Sequence, residues 1–375
     1  MALKILMVGG TWDDKGGKKS KIIQENYSRI AELIGRSMLP GIKSVNVLNG
    51  GFYKELSEFV NMYNLENMYD IVIWMANVPN YFEKINVKAS FPKVILVTSK
   101  NNYDKRYEFQ DLLAHALSKK SNLFIEITKV NNDRFAGQVF DPLGNAWSGK
   151  TTTFSSILLT AIERATYLHT ITRQSTVQSP EAPVPPPDNE DTEKFYKIVR
   201  EKAEVFHKLI TPAKHVTRFL GNASFRCRNG FPSMRSNDGT IYVSRRNVNK
   251  VALGADEFVQ VGYNKEKNIV WYRGDYKPSV DTAIQVRLYD LYPKVNYMIH
   301  SHLYLKDQTF TKRMVPCGGL EEVEEIKRVL CRVLPEKVSF VGINLVGHGS
   351  LIMTNKPEQF DKFTYIKRPS PEYVQ

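Results

Sequence analysis

The first half of the chain alternates between short apolar runs and longer stretches in which apolar residues have helical spacing. The runs have the length of strands, whereas the stretches place apolar side chains on one face of a helix. Such alternation predicts an α/β fold, with an open, doubly wound, mainly parallel sheet covered by helices on both faces. The predicted strands cover residues 3–8, 44–48, 71–75, 94–97 and 123–127, and the predicted helices cover residues 22–34, 53–63, 109–117 and 152–172.

Doubly wound sheets bind ligands beyond the carboxyl ends of their strands. We therefore expect any nucleotide or nucleoside to bind near residues 9–14 and the turn after Met75. Gly9-Gly10 lacks the full dinucleotide fingerprint and equally suits a tight turn between strand and loop. The region is loosely similar to flavodoxin-like and nucleoside deoxyribosyltransferase-like domains.

A stretch rich in proline and acidic residues, 174–192, divides the chain. Proline at this density favours extended polyproline II structure and predicts a semi-rigid linker. We therefore place a Rossmann-like or flavodoxin-like domain at residues 1–173 and a second domain at residues 193–375. Helical spacing over residues 194–210 indicates that the second domain opens with a helix.

The length of 375 residues predicts about two domains, each large enough to bury a core. Cys227, Cys317 and Cys331 are odd in number and lack metal-type spacing, which predicts free thiols in a reducing compartment. The N-terminal apolar run is too short for a signal sequence, and no stretch approaches the ~20 apolar residues of a membrane helix. We therefore expect a cytoplasmic protein that does not engage a membrane.

The chain is basic, with a formal charge of +13 and a pI near 9.4. Clustered lysines and arginines would favour nucleic-acid binding, because they release counterions from a phosphate backbone. Here the positive charge is spread along both halves with only short groups such as Lys18-Lys19. We expect phosphorylated small molecules or ordinary solubility to explain the charge, and we do not expect specific nucleic-acid binding.

Residues 144–151 satisfy the P-loop expression for nucleotide phosphates. A P-loop joins a core strand directly to a helix, but Phe140–Leu143 before this segment predicts a turn. The linker that follows leaves no room for a later strand with a magnesium-binding acid. We interpret the segment as a ligand-facing loop and not as a site of nucleotide hydrolysis.

Histidines and one carboxylate in the second half have the types and spacing of a metal site. A strand over residues 297–304 would place His300 and His302 on the same face, because side chains in strands alternate with a period of two. Neutral imidazoles suit zinc, and catalytic zinc usually takes three protein ligands, so His348 can complete the set. Asp281 is a candidate fourth ligand or proton-transfer group. Ordinary core or surface histidines are the alternative.

The order of motifs around these residues resembles the class II aldolase/adducin family over about Glu193 to Thr354. Members share a Gly-Asn-x-Ser segment, a Pro-Ser-Ser-Glu or Pro-Ser-Ser-Asp segment, a His-x-His and a later His-Gly. Asp281-Thr282 and Leu288-Tyr289 are most similar to the L-ribulose-5-phosphate 4-epimerase branch. The corresponding segments here are Gly221-Asn222-Ala223-Ser224, Pro278-Ser279-Val280-Asp281, His300-Ser301-His302 and His348-Gly349.

The resemblance implies an α/β domain with a central β-sheet that holds Zn²⁺, or another divalent ion such as Mn²⁺, through His300, His302 and His348. It also implies aldol cleavage or epimerisation of a phosphorylated sugar or related hydroxy-carbonyl through an enediolate, with Asp281 near the metal. A homo-oligomer, in some members a tetramer, is a further implication. The implied phosphate pocket uses Asn222, Ser279 and the segment that here contains Arg245 and Arg246, whose guanidinium groups suit phosphate but also suit a solvated face.

Three departures favour other interpretations. Val280 replaces the second serine of the pair, and Gln285 stands where relatives carry a histidine. Residues 367–371 predict an extended tail where relatives continue into helices with a proton-donating tyrosine. A non-catalytic binding or assembly protein of adducin type is therefore one alternative. An N-terminal domain that acts on a nucleotide or nucleoside, with an accessory second domain, is another.

Overall fold

The computed structural model describes residues 2–62, 67–83, 85–103, 105–131, 134–209, 221–227 and 239–374. It divides into two compact units. The first contains Met1–Thr170 together with Ser370–Gln375, and the second contains the described residues between Ile171 and Pro369. Among the described residues, no helix is both long and apolar enough to cross a membrane.

The first unit is built on an eight-stranded sheet. Its strands are β1 (Leu3–Asp13), β2 (Ile42–Phe52), β3 (Ile71–Trp74), β4 (Ile95–Asn101), β5 (Leu123–Asn131), β6 (Arg134–Phe140), β7 (Asn145–Ala146) and, near the C-terminus, β18 (Glu372–Tyr373). Its helices are α1 (Lys21–Gly35), α2 (Tyr53–Met62), α3 (Val87–Ser90), α4 (Phe109–Ser118) and α5 (Phe154–Thr170).

Strands β2-β1-β3-β4-β5 of this sheet are all parallel, and β6 and β7 extend it in antiparallel fashion. This is the order of doubly wound, flavodoxin-type sheets. Alternate residues of β1 lie in different cores: Ile5 and Met7 pack with α1 and α5, whereas Leu6 and Val8 pack with α2 and α3. The predicted doubly wound, mainly parallel sheet is confirmed.

The P-loop-like segment is not a continuous loop in this unit. Asn145 and Ala146 form β7, and Thr151 pairs with Gly137 of β6, so both ends of the segment pair with the sheet. Phe154 begins α5. The geometry therefore differs from the strand, loop and helix order of a phosphate-binding P-loop.

The second unit contains a second eight-stranded sheet, in the order β15-β16-β13-β9-β10-β11-β12-β8. Its strands are β8 (Thr176–Gln178), β9 (Asn222–Cys227), β10 (Thr240–Ser244), β11 (Phe258–Asn264), β12 (Ile269–Tyr272), β13 (Tyr297–Ser301), β15 (Phe340–Leu345) and β16 (Gly349–Thr354). A small separate sheet pairs β14 (Tyr304–Leu305) with β17 (Tyr365–Ile366), and the helices are α6 (Glu190–Leu209), α7 (Thr282–Leu291) and α8 (Glu321–Val329).

This second sheet is antiparallel except for the β12–β8 pair, and it carries helices on both faces. Met298 of β13 lies in the core that contains α7 and α8, whereas Ile299 lies in the aromatic core with Phe195 of α6. The expected α/β domain with a central sheet is thus observed.

The proline-rich stretch differs from a plain extended linker. Thr176–Gln178 forms β8, Val184 donates a hydrogen bond to Gln260, and helix α6 begins at Glu190. The last residues, from Ser370, belong to the first unit. The domain boundaries at residues 173 and 193 stay a prediction.

Candidate metal centre

Three buried imidazoles meet at one end of the second sheet. The ring centroids of His300, His302 and His348 lie 4.7 to 5.3 Å apart. One ring nitrogen from each histidine lies within 4.8 Å of those of the other two. The structure therefore brings together the three residues that the sequence assigned to one metal.

Strand pairing places the first two histidines. His300 is opposite Asn222 of β9 on one side and Leu351 of β16 on the other, so a central strand fixes its backbone. His302 follows directly after the end of β13. A Cβ at Gly221 would lie 2.5 Å from the carbonyl oxygen of His300, so a glycine is needed where β9 begins.

A tight hairpin between β15 and β16 places His348. Gly349, with a φ of 138°, lies against β13, and a Cβ there would be 2.7 Å from the Cα of His302. Only glycine combines this backbone conformation with so close an approach. The His348-Gly349 pair is therefore a geometric unit, because the glycine lets the turn bring its histidine to the other two.

Hydrogen bonds at Nδ1 leave Nε2 as the candidate metal-binding atom on two of the rings, and Nε2 of His348 also lies 3.1 Å from Cys317 Sγ. His300 Nδ1 lies 3.0 Å from the carbonyl oxygen of Ser350, and His348 Nδ1 lies 2.8 Å from Oε1 of Glu322. His300 Nε2 is buried and has no hydrogen-bond partner within the described ranges. Buried polar atoms are rarely left unpaired, and histidines bound to metals usually use their second nitrogen in this way, so the geometry fits a divalent ion.

Burial keeps two of the imidazoles neutral. Burial, and after it the charge of nearby His348, lower the pKa of His300 to about 4. The pKa of His302 is also well below its usual value, because of burial and the charges of His300 and His348. Neutral imidazole is the form that binds metals.

His348 differs because it has acidic neighbours. Burial alone would lower its pKa, but Cys317 and Glu322 together raise it well above the usual value. Burial likewise raises the pKa of the Glu322 carboxyl group. The pair therefore retains a proton that an incoming cation would displace.

Asp281 lies beside this cluster at the start of α7. Its Oδ2 accepts a hydrogen bond of 3.0 Å from the Asn222 side chain, and its Oδ1 accepts one of 2.8 Å from the Gly318 amide. Asp281, Cys317 and His348 each offer a ligand atom within 4.8 Å of the other two. The carboxylate is thus oriented toward the site by two donors.

Two residues assigned to a phosphate pocket contact Asp281 instead of open space. The Asn222 amide donates to Asp281 and accepts a hydrogen bond from Gln285, so both of its ends are engaged. Ser279 Oγ lies 3.4 Å from the backbone nitrogen of Asp281. In this structure these residues orient the carboxylate, and Gln285 completes the chain of contacts.

Arg245 and Arg246, the other two residues assigned to the phosphate pocket, make contacts outside the histidine cluster. Arg245 stacks over Tyr276, with 3.8 Å between the guanidinium carbon and the ring centroid. Arg246 is exposed, and its Nε lies 3.3 Å from the carbonyl oxygen of Pro278. Arg245 pairs with Pro278, so the backbone borders the Pro-Ser segment, and the half-buried Arg245 side chain packs on Tyr276.

Sequence reasoning missed Cys317, Glu322 and Lys250. Glu322 occurs in a run of glutamates that is typical of a solvated first helical turn, yet its side chain is buried. Lys250 is 4% exposed, and its charge contributes to the low pKa values of His300 and His302. Neither residue type nor spacing distinguishes these side chains from ordinary surface ones.

One comparison bears directly on this unit. Residues 200–305 match the Class II Aldolase and Adducin N-terminal domain. The match includes Asn222, Asp281 and the histidine pair, and it ends before Cys317 and His348. Less than half of the chain is covered, so this class II aldolase-type domain describes part of the protein. A search of curated proteins found no match.

Solved structures of low similarity match either half of the chain. L-fuculose 1-phosphate aldolase is 12% identical, covers 47% of this chain and 84% of its own, and has a TM-score of 0.31. YgbL from Klebsiella pneumoniae is 14% identical over 47% of this chain and 84% of its own, with a TM-score of 0.30. The DNA/pantothenate metabolism flavoprotein from Streptococcus pneumoniae is 15% identical. The match covers 44% of this chain and 100% of the flavoprotein, with a TM-score of 0.33.

Proposed function

We propose that the second unit is a divalent-metal-dependent carbon–carbon lyase or epimerase that acts on a phosphorylated sugar or a related hydroxy-carbonyl compound. The observation that supports this is the convergence of three buried histidine nitrogens beside an oriented carboxylate. The class II aldolase-type domain that contains most of these residues supports the same reaction class.

The donor set suits Zn²⁺, with Mn²⁺ as a second candidate. His300, His302 and His348 would hold the ion, since three neutral imidazoles are a common catalytic zinc set. When bound, the ion supplies Lewis-acid stabilisation for the negative charge that develops on substrate oxygens as a bond next to a carbonyl breaks. Ser350 and Glu322 hold the two Nδ1 atoms and thereby orient the rings.

Asp281 is our candidate for proton transfer. Its carboxylate is buried next to His348 and is held by Asn222 and Gly318. Such fixed orientation favours proton transfer to or from a substrate carbon or hydroxyl within hydrogen-bond reach. The hydrogen bond from Gln285 to the Asn222 side chain restrains the amide that donates to Asp281.

A buried cation supports an anionic substrate. Lys250 Nζ lies 3.3 Å from the neutral carbonyl oxygen of Val248, and the part of the chain that the structure describes gives it no acidic partner. A buried ammonium without a counter-charge is costly, so an anionic ligand group near the histidines would be favoured. We assign the phosphate to Lys250, while Ser279, Asn222, Arg245 and Arg246 would need side-chain movement to take part.

Metal removal combined with a substrate screen tests this proposal. The full chain, stripped with a chelator and then reloaded with Zn²⁺ or Mn²⁺, is assayed for cleavage and epimerisation of a panel of sugar phosphates. We expect turnover that is lost on stripping and restored on reloading. Asp281→Asn should bind the metal but lose turnover, whereas turnover that survives complete metal removal contradicts the proposal.

A binding or assembly protein that has kept this site without catalysis is the second candidate. The engagement of both ends of the Asn222 amide favours it, because that side chain is not open to a phosphate. Stoichiometric metal in a homo-oligomer that turns over no member of the panel, yet binds one of them, would favour this candidate.

A further inference from the structure

Cys317 lies at the metal-facing nitrogen of the third histidine. Its Sγ is 3.1 Å from Nε2 of His348. Because Nδ1 of His348 is already occupied by Glu322, Nε2 is the atom that remains for an ion. The thiol is therefore next to the point where a metal would bind.

The same sulfur belongs to a second group of possible ligands. Cys317, Asp281 and His348 offer atoms within 4.8 Å of one another, and this group shares only His348 with the three-histidine group, so Sγ would move closer to His300 and His302 to join a common ion. Sulfur and imidazole nitrogen around one zinc ion bond at about 2.3 and 2.0–2.1 Å, which places them about 3.5 Å apart in a tetrahedron. The observed 3.1 Å between Sγ and Nε2 is close to that separation.

Hydrogen bonds of the residues that follow Cys317 hold the turn that contains it. Gly318 has a φ of 75° and donates its amide to Asp281 Oδ1 at 2.8 Å. Helix α8 follows with Glu322, which holds His348. Cys317 is thus presented to the site by a turn whose next residue contacts the proposed catalytic carboxylate.

We propose that Cys317 supplies a thiolate ligand to the ion held by His300, His302 and His348. This inference rests on the metal site proposed above. Three imidazole nitrogens and one thiolate sulfur would favour zinc or cobalt over the harder Mn²⁺.

Cobalt spectroscopy reports on sulfur ligation without any assay of activity. We would titrate Co²⁺ into the metal-free full chain and record its absorption. The proposal predicts visible d–d bands together with a near-ultraviolet sulfur-to-cobalt charge-transfer band. The charge-transfer band should vanish in Cys317→Ser and persist in Cys331→Ser, since Cys331 is exposed in the same unit.

Zinc affinity, measured by competition with a chromogenic chelator, gives the second readout. We expect Cys317→Ser to bind zinc at least tenfold more weakly, with Cys331→Ser unchanged. In unmodified protein, zinc should protect Cys317 but not Cys331 from iodoacetamide, as mapped by mass spectrometry. This last measurement does not depend on how a variant folds.

The outcomes separate the two proposals. Cobalt bands that are lost in His300→Ala but lack a charge-transfer component, with unprotected Cys317, would overturn sulfur ligation and leave the histidine site intact. Wild-type protein that binds neither Co²⁺ nor Zn²⁺ would contradict the metal site itself.

Discussion

Replacement of Lys250 by methionine tests how much the burial of an ammonium group destabilises the folded protein. Lys250 is 4% exposed, and burial lowers the pKa of its ammonium group from 10.5 to about 8. A difference of roughly 2.5 units corresponds to about 3 kcal/mol of unfavourable free energy at neutral pH. Lys250→Met also removes the hydrogen bond to Val248, at about 1 kcal/mol. We therefore expect a net gain of about 2 kcal/mol in the free energy of unfolding.

The pH dependence has a definite sign. Below pH 8 the ammonium is protonated in both the folded and the unfolded chain, so its full penalty applies. Between about pH 8 and 10.5 the folded protein loses the proton first, so this penalty diminishes as the pH rises. The stability difference between Lys250→Met and wild type should therefore be largest below pH 8 and shrink above it.

Native-state hydrogen exchange of the metal-free protein provides the assay, because peptides from β9 and β13 report the opening of the sheet in the second unit. Lys267→Met is the matched control, since Lys267 is exposed in the same unit and should show no measurable change. A Lys250→Met variant that is less stable than wild type, or whose stability difference does not change with pH, would refute the reasoning.

Three further substitutions test the site and its surroundings. Glu322→Gln removes the charge behind the third histidine and should weaken zinc binding by about 10- to 100-fold in chelator competition; Glu324→Gln, exposed on the same helix, should leave it unchanged. Gly349→Ala forces a strained φ and a clash with β13, so chemical denaturation should show that the free energy of unfolding falls by about 3 kcal/mol or more. Gly254→Ala is the control, because a Cβ there has space and the free energy of unfolding should hardly change. Lys150→Ala should leave metal content and second-unit chemistry unchanged, and a loss of either would contradict the separation of the P-loop-like segment from the site.

The sequence predicted the elements with long, regular periods. The predicted strand 3–8 and helix 22–34 lie within strand Leu3–Asp13 and helix Lys21–Gly35, because tertiary packing does not override their apolar spacing, whereas residues 9–13, predicted as a turn, continue the strand. Short strands such as Asn145–Ala146 and Glu372–Tyr373 carry no period of their own. Their pairing depends on where distant segments meet, which single-sequence reasoning does not reach.

The site shows the same limit. His300 and His302 were predicted to share a site because a strand has a period of two, and the structure places their rings together. Glu322 was missed because an acidic run at the start of a helix is equally suited to solvent. Cys317 was missed because its partner is thirty-one positions away in the sequence, and only the fold brings the two side chains together.

Metal content tests the central claim most directly. Protein purified without added metal or a metal-binding tag would be analysed by mass spectrometry, with His300→Ala and His302→Ala beside the wild type. Our account predicts near-stoichiometric divalent metal in the wild type and its loss in both folded variants. A wild type that stays metal-free after incubation with Zn²⁺ and Mn²⁺ would contradict it.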